Sequence, residues 1–377
     1  MKFTILSERL KKCVSIATHL CGSNLSLPIL NNILLEAKKD SLQLSSTNLE
    51  IGLTINIPIE TKEQGKITIP GKIFSEFINS LPKGEIKIQE KDLTLNIKSQ
   101  GFKAKILGQD PKDFPVIPSV QGKTITELKT EELISSLSKV SHFVSPSETR
   151  VEISGILMKF EKESLKLVGT DSIRLGEKIV PLPSEVKKKS VIIPQKTATE
   201  LAYVFSRLEG KIKISIDPSQ IGFDFIPSQE GEPQITLISR LIEGQYPEYE
   251  QIIPKQTKTR ALLDKEDFKR KIKIASLFST RIQDVKLHFY PGEDESSQGR
   301  VCISAASSEI GETSSETKGK VEGEEIEITF NWKYLLDGLS TIDSSEILFG
   351  VNDAVSPAII QPVGDKTYLY ILMPKTI

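Results

Sequence analysis

One interval recurs three times along this 377-residue chain and dictates most of what the chain can fold into. The runs ITIPGKIFSEFINSL, VIIPQKTATELAYVF and EITFNWKYLLDGLSTI each place a lysine (Lys72, Lys196, Lys333) just after an apolar, strand-like stretch. Apolar residues then return two, six and nine positions later: Phe74, Ile78 and Leu81; Ala198, Ala202 and Phe205; Leu335, Leu339 and Ile342. This i, i+4, i+7 recurrence is the buried stripe of an amphipathic helix. A second stripe lies upstream of each: Leu10, Val14 and Ala17; Leu133, Leu137 and Val140; Phe268, Ile272 and Ala275. From the first residue of the upstream stripe to the lysine the separations are 62, 63 and 65 residues. Chance does not hold such an interval, and internal repetition of this kind marks tandem copies of one unit.

Ser7, Thr130 and Asp264 stand where helix N-caps belong. Pro70, Pro194 and Asn331 mark the entries of the later helices. Between the stripes, segments such as ILLEAKKDSLQLSSTNLEIGLTINIPI and ILMKFEKESLKLVGTDSIRLGEKIVPL alternate apolar with polar residues around turn-forming KKD and EKE, as antiparallel strands do. PGEDESSQG marks the corresponding turn in the third copy. Each copy reads helix, strands, helix, strands. The expected fold is α+β, with domains at 1–122, 123–256 and 257–377 and boundaries near Val120 to Thr126 and Lys255 to Thr259.

Lys and Arg total 49 against 50 Asp and Glu, so any surface for a polyanion must be local. Lys269, Arg270, Lys271 and Lys273 crowd one predicted helix and Arg9, Lys11 and Lys12 another, whereas the middle copy's first helix offers Lys139 alone. Such runs are either ordinary solvated faces or, in helices side by side, a cationic stripe for phosphates. There is no GxGxxG and no GxxxxGK followed by Ser or Thr, so nucleotide hydrolysis is not indicated. His19, His142 and His288 are isolated, no repeated acidic pair suggests a magnesium site, and no cofactor is expected. Cys13, Cys21 and Cys302 fit free, buried thiols rather than a disulfide framework. Glu8 and Arg9 interrupt the apolar core a signal peptide needs, and no stretch suits a membrane span, so a cytoplasmic non-enzyme is expected.

The chain also resembles the bacterial DNA polymerase III beta subunits, the sliding clamps. The matching residues are MKFTI at the start, LPIL at Leu27 to Leu30, DFP at Asp113 to Pro115, GTDSIRL at Gly169 to Leu175, VIIPQK at Val191 to Lys196, YPEYEQIIPK at Tyr246 to Lys255, FNWKYLLD at Phe330 to Asp337 and LMP at Leu372 to Pro374. They run in order from the first residue almost to the last. The resemblance implies three tandem clamp folds per chain, helices inside and antiparallel sheets outside, with two chains closing into a ring around duplex DNA. DNA would be bound without regard to sequence. It implies DNA contacts at Lys72, Arg150 and Lys196, and helix charge adds Lys12 and Lys273. It implies a dimer interface between the strand holding Phe102 and Ala104 and the helix end at Leu277 and Phe278, with Glu309 and Glu312 facing first-domain lysines.

A groove for client peptides is implied as well, walled by Ile153, Thr170, Ser172, Ile173, Arg174, Leu175, Pro247, Ile252, Ile282, Asn331, Tyr334, Val355, Pro357, Ile371, Leu372, Met373 and Pro374. The clients implied are the replicative polymerase, the clamp loader, translesion polymerases and mismatch-repair proteins. Without the resemblance most of these residues read as core, and Asp171 with Arg174 reads as a turn pair. The sequence departs from the family at Asn24, where an arginine can stand, at Ser172 and Ile173, where Gly-His is frequent, and at the end, Lys375, Thr376 and Ile377. A protein-interaction scaffold that does not encircle DNA is the alternative reading.

Overall fold

Each repeated stripe becomes the buried side of a helix, except that Ala202 is partly exposed and Leu81 and Ile342 are buried just past the ends of their helices. The computed structural model describes residues 1–22, 26–145, 149–292 and 298–375. Among them are six α-helices: α1 (Ser7–His19), α2 (Gly71–Ser80), α3 (Thr130–Ser141), α4 (Gln195–Phe205), α5 (Lys265–Ala275) and α6 (Trp332–Ser340). Leu10 and Val14, Leu133 and Val140, and Phe268 and Ile272 are inaccessible to solvent, as are Phe74 and Ile78, Phe205, and Leu335 and Leu339 in the second helix of each copy. Burying one such side chain is worth about 1.5–3 kcal/mol, so the stripes hold the helices in place.

The helix entries correct two of the three expected caps. Asp264 caps α5, its carboxylate accepting from the Asp267 amide. Ser7 is instead the first residue of α1, and its buried hydroxyl accepts from the Gly84 amide. Thr130 is likewise inside α3, its hydroxyl buried without a hydrogen-bond partner among the described residues. Pro70 precedes α2, and Asn331 caps α6 by accepting from the Lys333 and Tyr334 amides.

The strands pair antiparallel throughout and form sheets of five, eight and twelve strands among the described residues. Two compact units result, and the middle copy contributes to both: residues 1–134, 182–187 and 196–241 form one, and 135–181, 188–195 and 242–377 the other. In the first unit Gln234–Arg240 of the middle copy pairs with Ile51–Pro58 of the first, making one eight-stranded sheet. In the second, Arg174–Pro181 pairs with Tyr368–Leu372 of the third copy. All three cysteines are free thiols; Cys13 is buried as expected, but Cys21 and Cys302 are partly exposed. No helix among the described residues is long and apolar enough to cross a membrane.

Candidate functional site

Lys72 and Lys196 occupy the second position of α2 and α4, as Lys333 does in α6. Together with Lys12 on α1 and Lys273 on α5 they are exposed, and none forms an ion pair among the described residues. Most of the other helix cations are engaged, Lys269 being an exception, so the charged runs form no uninterrupted free stripe. Lys139 pairs with Asp343 at 2.7 Å, Arg270 and Lys271 each reach Asp267 at 2.6 Å, and Arg9 and Lys11 donate to the carbonyls of Gly231 and Leu81. Arg150 is exposed but tethered, its Nε 3.2 Å from Glu152 and its Nη1 donating to Ser172 Oγ at 2.9 Å.

The groove residues all belong to the second unit. Strand register sets the centre: Arg174 lies opposite Leu372 and Leu175 opposite Ile371, while Ala358, next to Pro357, also faces Leu372. Beyond the strand ends the Met373 amide donates to the Ile173 carbonyl at 2.9 Å, and Lys375 bonds to the carbonyls of Thr329 and Ile282. Ile153, Leu175, Ile371 and Leu372 are fully buried, and the first three share a core cluster with Tyr246 and Tyr249. In the expected groove these four would form the floor. The exposed apolar surface comes from others: Ile173 is 46%, Ile252 45%, Ile282 57% and Val355 60% accessible. Pro247 lies between the two tyrosines and Ile252 beyond them on the segment leading into the third copy, and Pro374 follows Met373, these last two partly exposed. The contacts thus link floor, Ile173, Met373 and Ile282; Val355 joins only through its neighbours on the loop before Ala358.

Arg174 organises the centre. Its Nε is 2.9 Å from Asp171 Oδ2 and its Nη1 2.6 Å from Asp337 Oδ2, while the guanidinium lies 4.3 Å from the Tyr334 ring centroid and 5.5 Å from that of Phe143. Burial opposes its charge, but its hydrogen bonds to Asp337 and Asp171 outweigh that and raise its pKa. Asp171 also accepts from the amides of Ile173 and Arg174, so the turn between the two strands is locked. Within that turn Ser172 has φ of 76°, a left-handed conformation that glycine would adopt without strain, and Thr170 Oγ1 accepts its amide. Tyr334 is held from behind: Tyr370 donates to its carbonyl at 2.9 Å, and Gly338 leaves the space that the Tyr370 ring fills, since a Cβ there would come within 2.3 Å of it. Asp171 with Arg174 is legible in the sequence as a turn pair, whereas the parts of Asp337, Phe143 and Glu177 are not. Asp337 sits in FNWKYLLD three residues after Tyr334, one helical turn, which is the signal that was available.

The expected interface residues lie on separate elements. Phe102 is half-exposed and Ala104 partly exposed on Phe102–Leu107, the edge strand of the five-stranded sheet. Leu277, exposed, and Phe278, partly so, lie in the 3₁₀ turn that ends α5. Glu309 and Glu312 are exposed at the hairpin between Gly299–Ser307 and Gly311–Glu322. Asn24, Thr376, Ile377 and the middle of PGEDESSQG lie outside the described residues.

Three family models match consecutive parts of the chain: DNA polymerase III beta subunit, N-terminal domain, over residues 1–118; central domain over 127–248; and C-terminal domain over 250–376. A curated relative, the beta sliding clamp of Bacillus subtilis, is 30% identical over 99% of both chains, and that of Staphylococcus aureus 28% over the same shares. Among solved structures, the DNA polymerase sliding clamp from Bacillus subtilis superposes with a TM-score of 0.91 at 27% identity, covering 100% of this chain and 99% of its own. A sliding clamp from Pseudomonas aeruginosa bound to griselimycin gives 0.92 at 25% identity over the full length of both.

Proposed function

The chain belongs to the DNA polymerase III beta subunit family, the sliding clamps, and from that premise we propose how its own residues serve a processivity factor. Two copies close into a ring around duplex DNA, and the ring tethers the replicative polymerase. Each copy contributes domains 1–122, 123–256 and 257–377. Head-to-tail contacts must return to their start to avoid a filament; Phe102 and Ala104 of one copy meet Leu277 and Phe278 of the other, with Glu309 and Glu312 facing first-domain lysines. Lys12, Lys72, Lys196 and Lys273 meet phosphates, and Arg150 does so by giving up Glu152 or Ser172.

The observation that carries this reading is the set of unpaired helix lysines on a chain of net charge −1. Phosphate contacts attract without encoding sequence, so a few of them allow sliding while topology prevents escape. The groove from Ile173 to Met373 takes an extended apolar segment of the polymerase and, in turn, of the clamp loader, translesion polymerases and mismatch-repair proteins. The protein works in the cytoplasm and performs no chemistry itself; an ATPase supplied by another protein opens the ring. After loading, the clamp is retained on nicked circular DNA and lost when the circle is linearised. Equal loss from both rejects topological binding and leaves the protein-interaction scaffold.

A further inference from the structure

The segment between Ile242 and Thr257 is a loop apart from the short turn Tyr249–Ile252, yet it is fastened to the sheet at four points. Ile242 bridges to Ile192 and packs where a Cβ on Gly155 would stand 2.6 Å away. The Tyr246 hydroxyl donates to the Val168 carbonyl at 3.3 Å. The Tyr249 hydroxyl donates to Glu177 Oε2 at 2.5 Å. Glu250 sits between Lys159 and Lys166, at 3.0 and 2.8 Å. Pro247 and Ile252 ride between and beside these fasteners.

Glu177 is the unusual member. It is 4% accessible, its partner is a phenol, and no lysine or arginine among the described residues pairs with it. Burying a carboxylate this way costs more than burying an apolar pair of the same shape, so covering the core does not account for it. What a carboxylate adds is direction: it fixes the rotation of the Tyr249 ring, and with it the turn that follows. Glu177 lies opposite Val168 and Leu369, on the strand pair whose next inward-facing residues, Leu175 and Ile371, form the groove floor. Burial and the facing carboxylate push the Tyr249 pKa far up, so the phenol keeps its proton as donor.

We infer that Glu177 and Tyr249 are positioning residues of the groove: their hydrogen bond fixes the segment so that Pro247 and Ile252 stand as one wall against the floor of Leu175 and Ile371. This rests on the groove being the client-peptide site, and the experiment separates the two claims. The full chain is titrated against a fluorescein-labelled peptide with leucine and phenylalanine anchors, by anisotropy, and Tm is recorded in parallel. Tyr249→Phe keeps the ring and is expected to weaken binding about tenfold, equivalent to about 1.4 kcal/mol. Glu177→Gln keeps an acceptor oxygen and should stay within about threefold of the parent. The pair Tyr249→Phe with Glu177→Met removes both polar groups, and it should regain Tm without regaining affinity. Unchanged affinity in Tyr249→Phe, recovery of affinity in the double variant, or a loss in Glu177→Gln equal to that of Tyr249→Phe overturns the positioning role, provided Met373→Ala weakens binding. If Met373→Ala also binds as the parent does, the groove reading falls and the inference with it.

Discussion

Replacing Arg174 by alanine tests whether the centre of the groove is a mechanical strut. The guanidinium stacks 4.3 Å from the Tyr334 centroid, a contact worth about 1 kcal/mol when partly desolvated. Its bond to Asp171 joins two side chains that are 12% and 14% accessible, and a charge-assisted bond so placed contributes about 1.5 kcal/mol. Asp337 is 37% accessible, so solvent screening limits that second bond to about 0.5 kcal/mol. Asp171 keeps two backbone amides as donors after the change, which spares it the larger penalty of an orphaned buried charge. The loss is about 3 kcal/mol, or roughly 6–12 °C in the melting of a unit of this size. Lysine cannot fork between two carboxylates, so Arg174→Lys should recover only the charge, and Asp337→Asn should cost about 2 °C. Calorimetry of the three variants should rank Arg174→Ala, then Arg174→Lys, then Asp337→Asn, with labelled-peptide affinity falling in the same order. An Arg174→Ala protein that melts with the parent, or an Asp337→Asn protein that falls as far as Arg174→Ala, refutes the bookkeeping.

Lys166 and then Lys159 hold Glu250 at about 2, below its ordinary 4.5. A depressed carboxylate contributes stability that is complete above 4.5 and disappears as pH falls through about 2. Because the group is nearly half exposed, the contribution is under about 1 kcal/mol. Glu250→Gln should therefore flatten part of the decline in Tm between pH 4.5 and 2, and a curve parallel to the parent's refutes the assignment. Phe102→Glu places a charge on the edge strand beside Ala104; sedimentation should show a single-chain mass with unchanged Tm, and an undisturbed dimer moves the interface elsewhere.

The helices were legible in the sequence because burial imposes a period, and the chain states that period three times. Caps were less so, since a half-helical position differs from the first helical one by a single residue, and Ser7 found a better partner in Gly84. Within the site, the Asp171 turn was readable because its partners lie within three residues. The Arg174 bond to Asp337 spans 163 positions and the Tyr249 bond to Glu177 spans 72. No local pattern announces such pairs; only the strand register that brings Arg174 beside Leu372 makes the first of them reachable.

Charge shows the same division between local and tertiary information. Asp267 lies four residues before Lys271, a spacing at which opposite charges on a helix meet, so that neutralisation was readable. The pairing of Lys139 with Asp343 joins different copies of the repeat and was not. Folding therefore sorts the cations. Lys139, Lys265, Arg270 and Lys271 are paired with carboxylates, while Lys72, Lys196 and Lys333, at matching positions of α2, α4 and α6, have no ion pair among the described residues and stay exposed, as the proposed phosphate contacts require. A strongly basic chain would hold DNA through many contacts at once, each adding about 0.9 to the salt dependence of its affinity, and would resist translation along it. In the proposed sliding contact, near-neutrality of the whole chain keeps such contacts few, and although only a minority of the helix cations are paired with carboxylates, the exposed lysines have no partner to give up.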